Sequence, residues 1–261
     1  MRKYLRIFSY SMHNAFAYLP SYLFRNIFFA VVLYVFFSLW RAVYSSGSTL
    51  LAGYSMVQLL WYLTATEAVE LSKTQLVSDI QDEVKDGTLA YSLQRPYSYM
   101  LYHFSRSLGE SIVKLLPILV VGFTVALLAV GPLPHMAASV APALLLISGG
   151  IVLNTLWYLL IGLLAFWTEE VMPIYWVLQK LVFVLGGMFF PIDLFPKWLQ
   201  GVSKALPFAF SAYWPGRVLV TGDRTAFITG LAGQLFYAAL LFALTGLLFR
   251  TAVRRVQVQG G

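Results

Sequence analysis

The sequence predicts an all-α polytopic membrane protein with six transmembrane helices in a single domain, residues 1–261. Three observations lead to this class. The chain is 59% hydrophobic and only 11% charged, whereas soluble domains carry about 25% charged residues, so a water-soluble fold could not hide its apolar surface. Its apolar residues fall in runs of membrane-spanning length, separated by polar or Pro/Gly stretches. No strand-like alternation of apolar and polar residues recurs, which argues against a transmembrane barrel. Helices are then what satisfies the backbone in lipid.

Met1 to Leu19 predicts an amphipathic helix. Leu5, Phe8, Met12, Phe16 and Leu19 fall at helical spacing, with Arg2, Arg6, Ser9, His13 and Asn14 largely elsewhere. Basic residues beside an aromatic-rich stripe suit a helix lying in the membrane interface, with Pro20 as its stop; an ordinary juxtamembrane lead-in is the alternative. The first span covers 21–44, with Trp40 and Tyr44 as interfacial anchors, and SSGS at 45–48 makes a turn. The second, 50–66, is short enough that the partly polar helix after it would extend it. The third, 112–130, ends at the helix-breaking GPLP of 131–134. The fourth, 141–167, is long enough to tilt. A short acidic turn at 168–170 precedes the fifth, 171–188. From 188 to 224 the chain is aromatic and interrupted by Pro191, Pro196, Pro207 and Pro215. That stretch is too broken for one helix and too apolar for a solvated loop, so short helices dipping into the outer membrane face fit it. The sixth span covers 227–249.

Between the second and third spans lies the longest polar interval, Glu67 to Ser107. It holds six of the eleven acids: Glu67, Glu70, Asp79, Asp82, Glu83 and Asp86. A charged island of this kind is expected to face water and to meet another protein there. Placing both termini and the island on one side gives that side 12 of the 18 lysines and arginines and the other side 5, with Lys180 inside a span. The positive-inside rule makes the first side cytoplasmic, and six spans return the chain to the side it started from. The net charge of +7 thus reads as topology and attraction to anionic lipid headgroups rather than nucleic-acid binding. The N-terminus lacks the apolar core and cleavage site of a signal peptide.

Enzyme signals are poor. There is no cysteine, and His13, His103 and His135 are far apart, so no metal site is expected in this chain. HExxH, GxSxG and the P-loop pattern are absent from the sequence, so it has no phosphate cradle of its own for ATP. Asp82–Glu83 and Glu169–Glu170 occupy adjacent positions, which do not face one another on a helix, and read as solvated turns. An intramembrane lipid-modifying enzyme would need paired intramembrane acids or a histidine–acid pair. It stands as an alternative function, beside a non-transporting membrane scaffold.

Inside the island, Asp79, Asp82, Glu83 and Asp86 fall within three helical turns, and Gly87 terminates them. Thr88 could cap a second short helix carrying Leu89, Tyr91 and Leu93, which Pro96 breaks. Acidic then apolar, the pair makes a compact projecting knob, with a solvated loop as the alternative. The run DGTLAYSLQRPYSY (86–99) resembles the cytoplasmic signature of ABC type 2 permeases: an acidic helix, then Gly-Thr-Leu, then Leu-x-x-Pro. MFFPIDLFPKWLQGVSKALPF (188–208) resembles the same family's Phe/Pro-rich hallmark between the fifth and sixth spans. The resemblance covers essentially the whole chain. It implies a permease subunit of a bacterial ABC exporter in the cytoplasmic membrane, with both termini cytoplasmic. Such a subunit dimerises with a second copy or a paralogous permease and works by alternating access. Two separate ATPase subunits would hold the ATP and magnesium. Residues 1–20 would be the interfacial connecting helix, and 188–224 would cap the exit path. Within 67–107, Asp79, Asp82, Glu83, Asp86, Gly87, Leu89, Tyr91 and Leu93 would form the cytoplasmic coupling helix region that docks on the ATPase. Family members export drugs, glycans, lipids or peptides; a hydrophobic or amphipathic cargo is expected here.

Lys180 lies about nine residues into the fifth span, where a cation costs about 2.5–3.5 kcal/mol on insertion scales. Either it faces a dimer cavity and meets an anionic group of the cargo, or it snorkels or pairs with a neighbouring helix. Asn154 in the fourth span is a candidate for the substrate path or for an interhelical hydrogen bond.

Overall fold

The computed structural model describes residues 2–45 and 50–254. The turn expected at 45–48 and the tail RVQVQGG lie, Ser45 apart, outside the described residues. Among those described the chain is helical with no strand. A single antiparallel bridge, Leu51 with Tyr54, closes the turn before the third helix, with Ala52 (φ 47°) and Gly53 (φ 86°) at its apex.

The helices are α1 (Arg2–Ala17), α2 (Leu19–Ser45), α3 (Met56–Leu71), α4 (Leu76–Lys85), α5 (Leu89–Gln94), α6 (Tyr99–Val130), α7 (Met136–Gly162), α8 (Met172–Leu185), α9 (Lys197–Ala205), α10 (Pro207–Ser211), α11 (Tyr213–Thr221) and α12 (Arg224–Val253). A 3₁₀ turn, Leu163–Phe166, continues α7, and another, Ile192–Leu194, lies between α8 and α9. By length and composition four can cross a membrane: α2, α6, α7 with its 3₁₀ extension, and α12. Of the six expected spans, the second and fifth appear as shorter helices, α3 with 16 residues and α8 with 14, against about 20 for a full crossing. Pro20, expected to stop the first helix, sits in the first turn of α2 instead, where its fixed φ and missing N–H cost nothing.

α3 is the axis of the molecule. Ser55 caps it through a capping box with Gln58. Every residue from Leu59 to Glu70 is buried, with Thr64, Thr66, Glu67 and Glu70 the polar ones among them. It packs against α2, α6, α7 and α11, and glycines let two of them come close. A Cβ on Gly122 of α6 would lie 2.8 Å from the Thr64 methyl, and one on Gly216 of α11 would lie 2.7 Å from the Tyr62 ring. α8 ends at Gly186–Gly187, the latter at φ +67°. The carbonyls freed there are not left bare: the Tyr62 hydroxyl donates to Gly187 O, and Thr66 Oγ1 donates to Met188 O at 2.6 Å. Irregular backbone inside a membrane protein is tolerated when protein groups satisfy it in this way.

The charged island is therefore less of an island than its composition suggests. Glu67 and Glu70 are buried in the last turns of α3, and α6 starts at Tyr99, well before the expected third span. Glu70 is not buried alone. Lys73 is bonded to its Oε1, Gln179 Nε2 donates to the same oxygen at 2.9 Å, and the Tyr158 hydroxyl approaches Oε2 at 3.4 Å. Burial of a carboxylate is expensive unless it is paired and hydrogen-bonded, and the partners come from α7, α8 and the loop after α3.

Candidate functional site

The segment 76–98 folds as two short helices around a glycine. The apolar face of α4, Leu76, Val77 and Ile80, packs into a cluster with Met100, Tyr158, Leu159, Ile161, Ala165 and Val171. Ile80 fits against bare backbone: a Cβ on Gly162 would come within 2.8 Å of its Cδ1. Four polar contacts then tie α4 to the spans. Gln81 Oε1 accepts from the amides of Val171 (2.8 Å) and Met172 (3.2 Å), so it caps the N-terminus of α8. Asp79 pairs with Arg106 of α6 at 3.3 Å, Glu83 lies 3.4 Å from His103 of α6, and Lys85 reaches Glu170 at 2.5 Å. Burial raises the Asp79 carboxyl above its usual range, with Arg106 pulling it down and Glu110 adding to the rise.

Gly87, at φ +71° with open space around it, turns the chain between the two helices. Thr88 begins α5 but its hydroxyl makes no capping bond to the helix. The residues proposed from sequence divide by exposure. Asp82, Asp86, Gly87 and Tyr91 point outward, with Tyr91 71% exposed. Asp79, Glu83 and Leu93 are half-buried. Leu89, expected to fill a pocket on a partner, is only 5% exposed. It packs with Tyr99 and Leu163 beside Leu248 and Phe249 of α12, so it holds the knob to its own chain. The reason is geometric: in so short a helix Leu89 and Leu93, four residues apart, share one face, and that face lies on the bundle.

Beside the root of α4 a cleft of about 570 Å³ opens between α2, α3, α4, α6 and α8, with Lys73, Asp79, Arg106, Glu110 and Lys114 among its walls. Lys180 does not line it. It is exposed on α8 with its ammonium 4.9 Å from the centre of the Phe183 ring, a cation–π arrangement. Asn154 is buried on α7 and borders two small voids of about 10 Å³ each, one shared with Ser111, Thr155 and Tyr158. The structure thus brings neither Lys180 nor Asn154 to the charged cleft.

At the opposite end of α3, Asp193 is a hub that sequence reasoning missed. Its carboxylate accepts from the hydroxyls of Tyr54 (2.7 Å) and Tyr213 (2.8 Å), and pairs with Lys204 (2.7 Å) and Arg217 (2.8 Å). Gln200 Nε2 adds bonds to the carbonyls of Asp193 (3.1 Å) and Phe195 (2.8 Å). Burial alone would raise this carboxyl; the bonds from Lys204, Tyr54 and Tyr213 and the charge of Arg217 hold it below its ordinary value. One acid thereby ties together α9, α11 and the turn before α3. The available signal was a lone acid in an aromatic, proline-broken stretch followed by three cations. For Gln81 it was a polar side chain at an apolar position of α4, next to Ile80 and four residues after Val77.

A family model described as "ABC-2 family transporter protein" matches residues 29–260, which takes in the knob, the Asp193 hub and all of the spans except the first ten residues of α2. No curated protein matches the chain. With four helices able to cross a membrane and a family match over most of its length, this is a multi-pass membrane protein, and the chain belongs to the ABC-2 transporter family.

Proposed function

We propose that the chain is the permease subunit of an ABC exporter of a bacterial cytoplasmic membrane, moving a hydrophobic or amphipathic cargo by alternating access. It would act as a dimer, with a second copy or a paralogue, on two separate ATPase subunits that hold the ATP and magnesium. The observation that carries this reading is the knob: an exposed tip of Asp82, Asp86 and Tyr91 on a root bolted to two spans. A tip of that kind suits docking, and a root of that kind suits transmission. When an ATPase pushes the tip, Gln81 carries the displacement to the start of α8 and Asp79 carries it to α6. Six spans fit this scheme if α3 and α8 cross as short helices, their missing length supplied by the irregular segments around 50–55 and 186–190. In it α1, which packs along α6, is the connecting helix of the cytoplasmic interface. α9 to α11 are the short helices of the outer face.

Topology tests the scheme. Single cysteines at Pro134 and Asp223 of this cysteine-free chain are expected to react with an impermeant maleimide on intact cells, and one at Asp86 only after permeabilisation. Reaction at Asp86 from outside, with none at Pro134, would invert the orientation and remove the docking role.

Lys180 supplies a second expected result. On the reading that it meets cargo, Lys180→Ala and Lys180→Met both alter cargo-stimulated ATPase activity of the assembled complex while expression stays normal. Wild-type stimulation in the methionine variant would assign the lysine to its contact with Phe183 and the lipid interface.

A further inference from the structure

A second groove, of about 300 Å³, adjoins the charged cleft and shares Tyr22, Leu71 and Lys114 with it. Its own walls are Phe24, Phe28, Phe29 and Ile118, with Asn26 among them. Two features mark it as built to hold something. Asn26 is 6% exposed, and its Nδ2 is buried without a hydrogen-bond partner among the described residues. A buried amide donor of this kind ordinarily finds a partner. Lys114 is also buried, and its ammonium has three hydrogens. It is bonded to Glu110 Oε1 at 2.6 Å and to Lys73 O at 3.3 Å. Each cation lining the cleft is ion-paired, Lys73 with Glu70, Arg106 with Asp79 and Lys114 with Glu110. The combined space is thus amphipathic: charged and hydrogen-bond-donating groups at one end, aromatic rings at the other. Asn26 lies seven residues into α2, about 10 Å along its axis, where headgroups meet acyl chains if α2 begins at the interface.

We infer that the groove between α2 and α6 is a binding site for one anionic amphiphile, a lipid-like molecule whose phosphate or comparable acidic head accepts from Asn26 Nδ2 and Lys114 while its chain lies along Phe24, Phe28, Phe29 and Ile118. The site needs only that the chain sits in a bilayer, and it stands whether or not the ATPase coupling described above is correct. The head enters by the cleft, which is open to water, and the chain remains on the lipid-facing side, where Phe24 and Phe28 are exposed.

Photolabelling of the full-length chain tests the site. The protein is reconstituted in phosphatidylcholine vesicles with a small fraction of phosphatidylglycerol carrying a diazirine in its acyl chain. Labelled peptides are expected to concentrate at 22–29 and 114–118. Asn26→Leu, which keeps the branched heavy-atom skeleton of asparagine without its donor, is expected to cut labelling there about tenfold, the equivalent of one lost hydrogen bond to a charged group. Lys114→Arg, which keeps the charge, is expected to retain it. Four outcomes would overturn the inference. The first is equal labelling of the exposed face of α12 with no response to Asn26→Leu, which is ordinary boundary lipid. The second is equal labelling by a choline-headed diazirine probe, which removes the anionic head. The third is competition by glycerol phosphate, which makes the site one for a soluble anion. The fourth is efficient disulfide formation between two Phe28→Cys chains together with loss of labelling in wild type, which makes the groove a contact between copies.

Discussion

Asp193→Leu is expected to lower the apparent unfolding midpoint of the detergent-solubilised protein by about 10 °C. Removing one partner of a fully buried ion pair typically costs about 3–5 kcal/mol, because the other charge is left without its counterion; these pairs are half-buried, so the lower end applies, and each kcal/mol is worth about 2–4 °C in a domain of this size. Here the loss is compounded: Lys204 and Arg217 both lose their carboxylate, and the hydroxyls of Tyr54 and Tyr213 lose their acceptor. Asp193→Asn keeps the shape and one acceptor oxygen, so it is expected to fall between the two. The pH dependence has a definite sign. The folded-state carboxyl is held below its ordinary value, so its contribution is fully present above the unfolded pKa, about 3.9, and is lost as pH falls through the lower folded value. The gap between wild type and Asp193→Asn should therefore be flat from neutral pH down to about 4 and narrow below it. A fluorescence-detected thermal series at several pH values reads both effects. An unchanged midpoint in Asp193→Leu would mean the four partners re-pair with one another or with water, and the hub would not be what holds α9 and α11 to α3.

Much of this fold is legible in the sequence, and the reasons for the rest are physical. The long spans follow from apolar length alone, which is why α2, α7 and α12 lie within a few residues of where the hydropathy of the chain puts them. The errors come where a polar residue is buried with partners that are remote in sequence. Glu67 and Glu70 read as the start of a solvated island because composition prices a lone carboxylate. It cannot see Tyr158 of α7 and Gln179 of α8 closing around Glu70 beside the nearby Lys73. α6 reaches back to Tyr99 for the same reason: Ser105, Ser107, Gly109 and Ser111 look like surface residues. In the fold α1 lies across one face of this stretch, close enough that a Cβ on Gly109 would come within 2.5 Å of Phe8 O, with Ser11 Oγ donating to Arg106 O at 2.7 Å, while on the other face Ser107 Oγ lies 2.6 Å from Thr74 Oγ1. The candidate site was legible as a knob, through Gly87 and Pro96, but not by face. Which of its residues point outward depends on how α4 and α5 lie against α7, α8 and α12, and no local periodicity carries that.

The knob carries the other large expected effect. Tyr91→Ala together with Asp82→Lys is expected to abolish co-purification of the ATPase, whereas the same permease should still insert and run as a monodisperse peak. The reason is the division of faces: both side chains are exposed, and neither supports the bundle. A central aromatic anchor typically costs at least about 2 kcal/mol when truncated, and reversing a rim charge adds a repulsion that salt would relieve. Gly87 separates docking from fold. Its φ of +71° with nothing near a built Cβ means that a side chain is opposed by backbone conformation alone, not by contact. Gly87→Asn should therefore retain near-wild-type transport, because asparagine enters the left-handed region readily. Gly87→Val, β-branched, should lose most of it. Gln81→Leu completes the set from the inner side. It leaves the tip intact, so the ATPase should still bind, but it removes the cap on Val171 and Met172. ATP hydrolysis should then continue with transport reduced about tenfold or more, because the stroke no longer reaches α8. Assembly, hydrolysis and transport measured side by side give each variant a different signature: no complex for the tip pair, a complex that turns over without transport for Gln81→Leu. If the tip pair still assembles and transports, ATPase docking lies elsewhere on the chain. If Gln81→Leu transports normally, α4 drives the spans through Asp79 and Arg106 rather than through the end of α8.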